Sequence, residues 1–396
     1  TVTKVIQDHG FNVDSKAKVM KLTVGQMQQV EIIKMLYRKA EFLILDEPTS
    51  VLTEQEIRKL FTTLRTLKKN GKTCIIITHK LGEVKEISDR VTVMRKGRVV
   101  ALKRTSEVDK AELSKLMVGK SVLFQLDREK KECGRPVLEL KNVTLKQRGQ
   151  DRPLLDNINL KVRSCEIVGA AGVSGNGLAE LEDVVTGLRK ITGGEIIHDN
   201  ENISNLSAKE LRKRGLAYVP ADRLIRGSSL ESSVTENMIV CNHHKFLKGG
   251  ILRKTKILKF VEELTRLFSI DGRPQTPVGT LSGGNIQKVI LARELAASTD
   301  FIIFSEPTWG LDVASSQFVY EKILEMRKSG AAILLVSSNL DEILGLADTI
   351  VVMYRGRIVA LFQNTKDLTK EYIGEYMLGL RDDFKPDELQ KQDVTL

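Results

Sequence analysis

An α/β fold, present as two tandem copies with mostly parallel sheets, is predicted by three observations. Short apolar runs alternate with amphipathic stretches, the pattern of strands crossed over by helices. The chain also aligns with itself, and its 41% hydrophobic and 29% charged residues are enough to build buried cores and to exclude disorder or a fibrous fold. At roughly 100 to 200 residues per domain, 396 residues suggest two or three domains.

The self-alignment sharpens that number. Leu22 to Leu102 matches Leu281 to Leu361 without a gap at a constant offset of 259, with 23 identities in 81 positions. A period this long makes each copy a domain rather than a solenoid unit. The second copy is expected to begin near Pro136, where Val137 to Thr144 reads as a first strand, so by the offset the first copy would begin about 120 residues before Thr1. With no initiator Met, the chain reads as one that lacks the front half of its first domain. The expected boundaries are therefore residues 1–118 for the first partial domain, 119–135 for a charged linker, 136–378 for the second domain and 379–396 for a polar tail.

Within the first copy, the spacing predicts a helix over Gln26 to Arg38, then a strand at Phe42 to Leu45 buried on both faces. A helix from Glu54 to Lys69 and a strand at Thr73 to Thr78 follow, then two short strands, Arg90 to Met94 and Arg98 to Leu102, around Lys96-Gly97. The second copy repeats this order behind strands near Val137, Ile158 and Glu166, a helix opening at Gly177 and a strand at Gly215 to Val219. It also carries a helical insert around Ile257 to Phe268.

The chemistry-bearing residues fall at the ends of these elements. Asp46 and Glu47 close the Phe42 strand, at the carboxyl edge where open α/β sheets bind ligands. The first carboxylate there can hold Mg²⁺ and the second can polarise a water that attacks a γ-phosphate. His79 ends the next strand and brings an imidazole to the same edge. In the second copy, Ser282, Gly283, Gly284 and Asn285 open a helix, where free backbone amides and the helix dipole suit a phosphate. The matching stretch of the first copy, with Thr23 and Gly25, has Val24 in place of a glycine and is expected to bind anions less well.

A phosphate loop is legible at Gly172, Ser174, Gly175, Asn176 and Gly177, in register with G-x-x-x-x-G-K-[ST], but Leu178 stands at the lysine position and Ala179 at the hydroxyl position. Loss of the lysine alone is expected to weaken nucleotide binding about 10- to 150-fold. Ser305 stands where the first copy has Asp46, and Ser338 where it has His79, although Glu306 and Asp312 persist. This second set of residues is expected to be catalytically disabled.

The cysteines, Cys74, Cys133, Cys165 and Cys241, show neither metal-ligand spacing nor disulfide-like pairing, which fits a reducing cytosol. The five histidines are too dispersed along the chain to predict a metal site, and Cys241 to His244 reads as a polar loop. No run approaches the ~20 apolar residues of a membrane span. A net charge of +11 is compatible with a polyanion, an anionic membrane surface or an ordinary solvated face.

Taken together, these motifs resemble those of ABC transporter nucleotide-binding subunits: a Walker B strand with Asp46 and Glu47, a switch His79, and a signature from Leu281 to Asn285. The resemblance runs to about Leu378 and implies P-loop NTPase-like domains with a helical subdomain. It is greatest to the fused double-domain ATPases of bacterial simple-sugar and nucleoside importers. Segments such as Val24 to Ile32, Pro48 to Thr53 and Tyr218 to Arg223 favour the nucleoside-type branch.

The resemblance implies ATP and Mg²⁺ as ligands, membrane permease subunits as direct partners, an extracytoplasmic solute-binding lipoprotein as an indirect one, and a peripheral place on the cytoplasmic face of the membrane. It implies that two domains close head to tail. One competent site would use Asp46 for Mg²⁺, Glu47 as base, His79 as switch, and Ser282, Gly283 and Gly284 from across the interface. The other would pair Gly172 to Gly177 with Thr23 and Gly25. Ala221, where family members commonly carry Glu or Gln, and Trp309, where a small or basic residue is usual, depart from the pattern. A soluble tandem acting on ribosomes or DNA, or an inactive gene fragment, are the alternatives. The short linker argues against the first, and no nucleic-acid partner is expected.

Overall fold

The computed structural model describes residues 2–8, 11, 13–19, 22, 24–38, 40–49, 54–78, 80–95, 97–118, 133–147, 149, 152–173, 175–296, 299–365 and 367–384. Two compact units are present, Thr1–Phe124 and Gln125–Leu396.

The first unit runs α1 (Val2–Asp8), α2 (Val24–Tyr37), β1 (Phe42–Asp46), α3 (Glu54–Lys69), β2 (Thr73–Ile77), α4 (Leu81–Ile87), β3 (Arg90–Arg95), β4 (Arg98–Arg104) and α5 (Lys110–Val118). β1 and β2 are parallel, with Asp46 in register with Ile77. Leu60, Phe61, Leu64 and Leu67 recur along one face of α3 and bury against Leu43 and Leu45 of β1 and Ile32 and Leu36 of α2. Each such side chain contributes about 1.5 to 3 kcal/mol on burial. β3 and β4 form an antiparallel hairpin with a bulge between Val93 and Met94.

The second unit contains β5 (Pro136–Leu145), β6 (Leu155–Arg163), β7 (Ile167–Ala171), α6 (Leu178–Val185), β8 (Gly193–His198), β9 (Glu201–Asn202), α7 (Ala208–Lys213), β10 (Leu216–Val219) and α8 (Val234–Ile239). It continues through β11 (Leu247–Lys248), β12 (Ile251–Leu252), α9 (Lys254–Leu267), α10 (Gly283–Leu295), β13 (Phe301–Ser305), α11 (Val313–Lys328), β14 (Ala332–Ser337), α12 (Leu340–Leu346), β15 (Thr349–Tyr354), β16 (Arg357–Gln363) and α13 (Lys370–Met377).

Its main sheet has the order β10-β13-β14-β7-β15-β16, parallel except for β16, and a second, antiparallel sheet has the order β6-β5-β8-β9. Alternate residues of β13 and β14 enter two different cores: Ile302, Phe304, Ile333 and Leu335 pack with the helices α8 to α11, and Phe301, Ile303, Leu334 and Val336 pack under the antiparallel sheet and α6. The β15–β16 hairpin carries its bulge between Val352 and Met353, the same place in the repeat as in β3–β4.

One expectation is corrected. β1 is buried on one face only: Phe42, Ile44, Ile75 and Ile77 of the first unit are half or more exposed, whereas their counterparts Phe301, Ile303, Leu334 and Val336 are at most 1% exposed. The covering layer of β5, β6, β8 and α6 has no counterpart among the described residues of the first unit. The start of the tail also differs from expectation. Asp383 donates its backbone N–H to Val359 O and accepts from Tyr376 Oη at 3.0 Å, so the chain is tied to β16 and α13 beyond residue 379. Most of the linker (119–132) and the end of the tail (385–396) lie outside the described residues. Among the described residues, no helix is long and apolar enough to cross a membrane.

Candidate functional site at the carboxyl ends of the strands

In the second unit β13, β14 and β7 are neighbours, so the turns that follow Ser305, Ser337 and Ala171 meet at one edge of the sheet. Glu306 leaves β13 in the left-handed region, at φ 40°, with its N–H bonded to Val336 O at 2.8 Å. That kink turns the carboxylate toward β14, where Oε1 accepts from Ser338 N at 2.6 Å and Oε2 from Ser337 Oγ at 3.2 Å. A left-handed glutamate is uncommon and costs of order 1 to 3 kcal/mol, a strain characteristic of ligand-handling turns.

The first unit repeats the device. Glu47 follows β1 at φ 44° with its N–H bonded to Ile77 O at 2.8 Å, and Asp46 before it is exposed at the strand end. Thr49 Oγ1 donates to Glu83 Oε1 at 2.6 Å, and the counterpart Thr308 Oγ1 donates to Glu342 Oε1 at 2.8 Å. An exposed carboxylate beside a strained one is a donor set that suits a hard cation such as Mg²⁺. His79 and Thr23 lie outside the described residues; Gly25 lies in α2.

The loop between β7 and α6 is braced from behind. Asn176 is buried; its Nδ2 donates to Met377 O at 2.9 Å, its Oδ1 accepts from Arg355 N at 3.2 Å, and its carbonyl accepts from Gly356 N. Its side chain is thus committed inward. Gly177 has φ 99°, and a Cβ there would stand 2.9 Å from Gly356 Cα, so only glycine fits. Gly175 is exposed, with open space where a Cβ would be. Gly172 is buried against Leu178, whose side chain packs with the apolar core under the antiparallel sheet. At the position where a lysine would reach for phosphate, the chain instead turns a hydrocarbon inward. Ser174 lies outside the described residues.

Ser282 caps α10: its Oγ accepts from Asn285 N at 3.4 Å and from Asn285 Nδ2 at 3.0 Å, while Asn285 Oδ1 accepts from Asp271 N at 2.9 Å. The first-turn N–H groups of a 13-residue helix are therefore presented at Gly283 and Gly284. Arg223 reaches Gly283 O at 3.3 Å and also donates to Trp309 O, joining this turn to the one after Glu306. This bridge was not legible in the sequence, because it links residues 60 and 86 positions apart.

Two buried carboxyls flank the edge. Burial pushes Glu182 up to about 7, against bonds donated by Ser305 and Tyr218, with Asp183 and Glu306 pushing the same way. Burial likewise pushes Glu342 up to about 7, against the bond that Thr308 donates. Neither was singled out in the sequence, where a helical Glu carries no signal of its partner.

The fold has known counterparts. A nucleotide-free ATP-binding cassette from an ABC transporter superposes with a TM-score of 0.50 at 20% identity over 62% of this chain and 95% of its own. The ATP-binding cassette MJ0796, in a dimeric post-hydrolysis state bound to ADP and Pi, superposes with a TM-score of 0.51 at 22% identity over 58% of this chain and 99% of its own. In sequence, the glucose import ATP-binding protein TsgD13 of Haloferax volcanii is 41% identical over 96% of this chain and 69% of its own length. The nucleoside import ATP-binding protein NupA of Lactococcus lactis is 37% identical over 96% and 75%, and the guanosine import ATP-binding protein NupO of Bacillus subtilis 38% over 96% and 74%. The family model described as ABC transporter matches residues 1–50 and 155–309. With that match and relatives of this identity along nearly its whole length, the chain belongs to the ABC transporter family, among its ATP-binding ATPase subunits.

Proposed function

We propose that the chain energises the import of a small solute of the sugar or nucleoside class through membrane permease subunits, from a peripheral position on the cytoplasmic face. The observation that carries this reading is the contrast between two equivalent strand ends: Asp46-Glu47 after β1, and Ser305-Glu306 after β13, where Ser305 bonds Glu182. One site would hydrolyse ATP and the other would hold it. In the first unit Asp46 would bind Mg²⁺, Glu47 would accept the proton of the attacking water and His79 would position that water; in the second unit Ser282, Gly283, Gly284 and Asn285 would offer amides and a hydroxyl to a γ-phosphate. Bound Mg²⁺ neutralises charge developing on the phosphate oxygens. In the second unit Gly172 to Gly177 and Glu306 would bind nucleotide without turning it over, and in the first unit Thr23 and Gly25 would be the weaker anion-binding turn. The solute class comes from the relatives' names, which include glucose, ribose, nucleoside and guanosine import. The segments favouring the nucleoside branch place nucleosides first and imply a solute-binding lipoprotein outside the membrane.

The test is uptake. The natural gene product, reconstituted with its permease and binding protein in vesicles loaded with Mg-ATP, is offered labelled guanosine, ribose and glucose. ATP-dependent uptake of one of them is expected, with guanosine foremost. Failure of the chain to associate with a permease, or no ATP-dependent uptake of any of the three, contradicts the proposal.

A further inference from the structure

We propose that His198, Asp199 and Asp300 form a binding site for a divalent transition-metal ion, Zn²⁺ by class, at the amino end of β13, away from the phosphate edge. His198 ends β8, Asp199 follows it in the turn to β9, and Asp300 immediately precedes β13. The turn thus brings two adjacent side chains against a third, Asp300, far along the chain, across the junction of the two sheets.

His198 is only 3% exposed, yet its Nε2 makes no hydrogen bond; neither does Asp199 Oδ1 or Asp300 Oδ1, although all three atoms are buried. Buried polar atoms without hydrogen bonds are costly unless something fills the space between them, and of these three Asp199 Oδ1 is offset by the Arg135 guanidinium while His198 Nε2 and Asp300 Oδ1 face each other. They lie within 4.8 Å of one another, and Nε2 is 3.4 Å from Asp300 Oδ1. Ligand bonds of about 2.0 to 2.2 Å bring donor atoms to within about 4.4 Å, so a small carboxylate rotation closes the set. Arg135 Nη1 approaches Asp199 Oδ1 to 2.7 Å as an ion pair, but the arginine is itself largely exposed and can swing away. Asp300 is 41% exposed in its side chain, which gives the ion an entry path and room for water ligands.

The repeat supplies a further reason. In the first unit the counterpart of Asp300 is Glu41, which pairs with Lys72 at 2.7 Å. The counterpart of Lys72 is Ala331, so the second copy has lost the lysine and meets its acid with an imidazole instead. One imidazole nitrogen with two carboxylate oxygens suits Zn²⁺ better than Mg²⁺ or Ca²⁺, which prefer all-oxygen shells.

The experiment titrates the chelator-treated full chain with Co²⁺, read by its d–d absorption, and with Zn²⁺ by calorimetry. One equivalent should bind. Asp300→Asn, a partly exposed change expected to fold normally, should weaken affinity at least about tenfold, as should His198→Gln where circular dichroism shows it folded. The exposed pair change His243→Ala/His244→Ala should leave binding as it was, and Zn²⁺ should raise the melting temperature of the parent chain but not of Asp300→Asn. The proposal is overturned if no ion binds below millimolar concentration, if Asp300→Asn binds as tightly as the parent, or if binding is lost with His243 and His244.

Discussion

Ser305 Oγ donates a 2.6 Å hydrogen bond to Glu182 Oε1 at the carboxyl end of β13, the place in the repeat where the first copy carries Asp46. Both residues are buried. The hydroxyl thus turns inward to satisfy a helical carboxyl. Ser305→Ala leaves Glu182 short of a donor and is expected to destabilise the second unit by about 1 to 3 kcal/mol. Ser305→Asp sets a second carboxylate against it and is expected to cost more. Urea unfolding of both variants followed by far-UV circular dichroism checks the order.

Glu182 and Glu342 make stability fall as pH rises. In the unfolded chain a glutamate ionises near 4.5, but both are held protonated up to about 7 by burial. Below about pH 4.5 each is protonated in both states; between there and about 7 only the unfolded chain releases its proton, so the native state loses ground. Each shift corresponds to about 3 kcal/mol at most, lost by pH 8. Glu182→Gln and Glu342→Gln should each flatten the difference between unfolding midpoints at pH 5 and pH 8. A midpoint difference as steep as the parent's in both variants contradicts the assignment.

At the signature turn, the two glycines are expected to differ in their tolerance. A Cβ on Gly284 would collide with Ser315 Oγ, itself held by Asp312 at 2.8 Å, whereas one on Gly283 would meet only the far end of Arg223, at 3.3 Å. Gly284→Ala should therefore lower the melting temperature, and Gly283→Ala should fold normally while weakening ATP-dependent closure. Thermal melts and nucleotide binding separate the two effects.

Asn176→Ala removes the bonds that tie the β7–α6 loop to Met377 and Arg355, and it should cost about 1 to 3 kcal/mol of stability. Asn176→Asp keeps the acceptor for Arg355 N but loses the donor to Met377 O, and should fall between the parent and Asn176→Ala. If denaturant midpoints are unchanged in both, the side chain is not the brace described.

Much of the fold was legible in the sequence because it rests on local patterns repeated twice. Glu54–Lys69 is helical over the span that the apolar spacing predicts, and the strands at Phe42, Thr73 and Arg90 begin where their apolar runs begin. What could not be read depends on partners far away in the chain. The one-sided burial of β1 depends on which layer covers a sheet face, and Phe42 is apolar whether covered or not. The inward turn of Asn176 depends on α13, 201 residues on, and the Ser305–Glu182 bond spans 123 residues. The approach of Asp300 to His198 was not legible either, because the fold rather than spacing brings them together. At the carboxyl ends of the strands the left-handed geometry of Glu47 and Glu306 was not legible.

The asymmetry between the two strand ends is tested most directly by steady-state ATP turnover of the natural gene product assembled with its permease. Glu47→Gln and Glu306→Gln are the matched pair, since both alter a glutamate at the same turn of the repeat. Glu47→Gln should lower turnover at least about 100-fold while still allowing ATP-bound closure, and Glu306→Gln should cause a much smaller loss. Equal losses, or a larger loss from Glu306→Gln, would contradict one hydrolysing and one holding site.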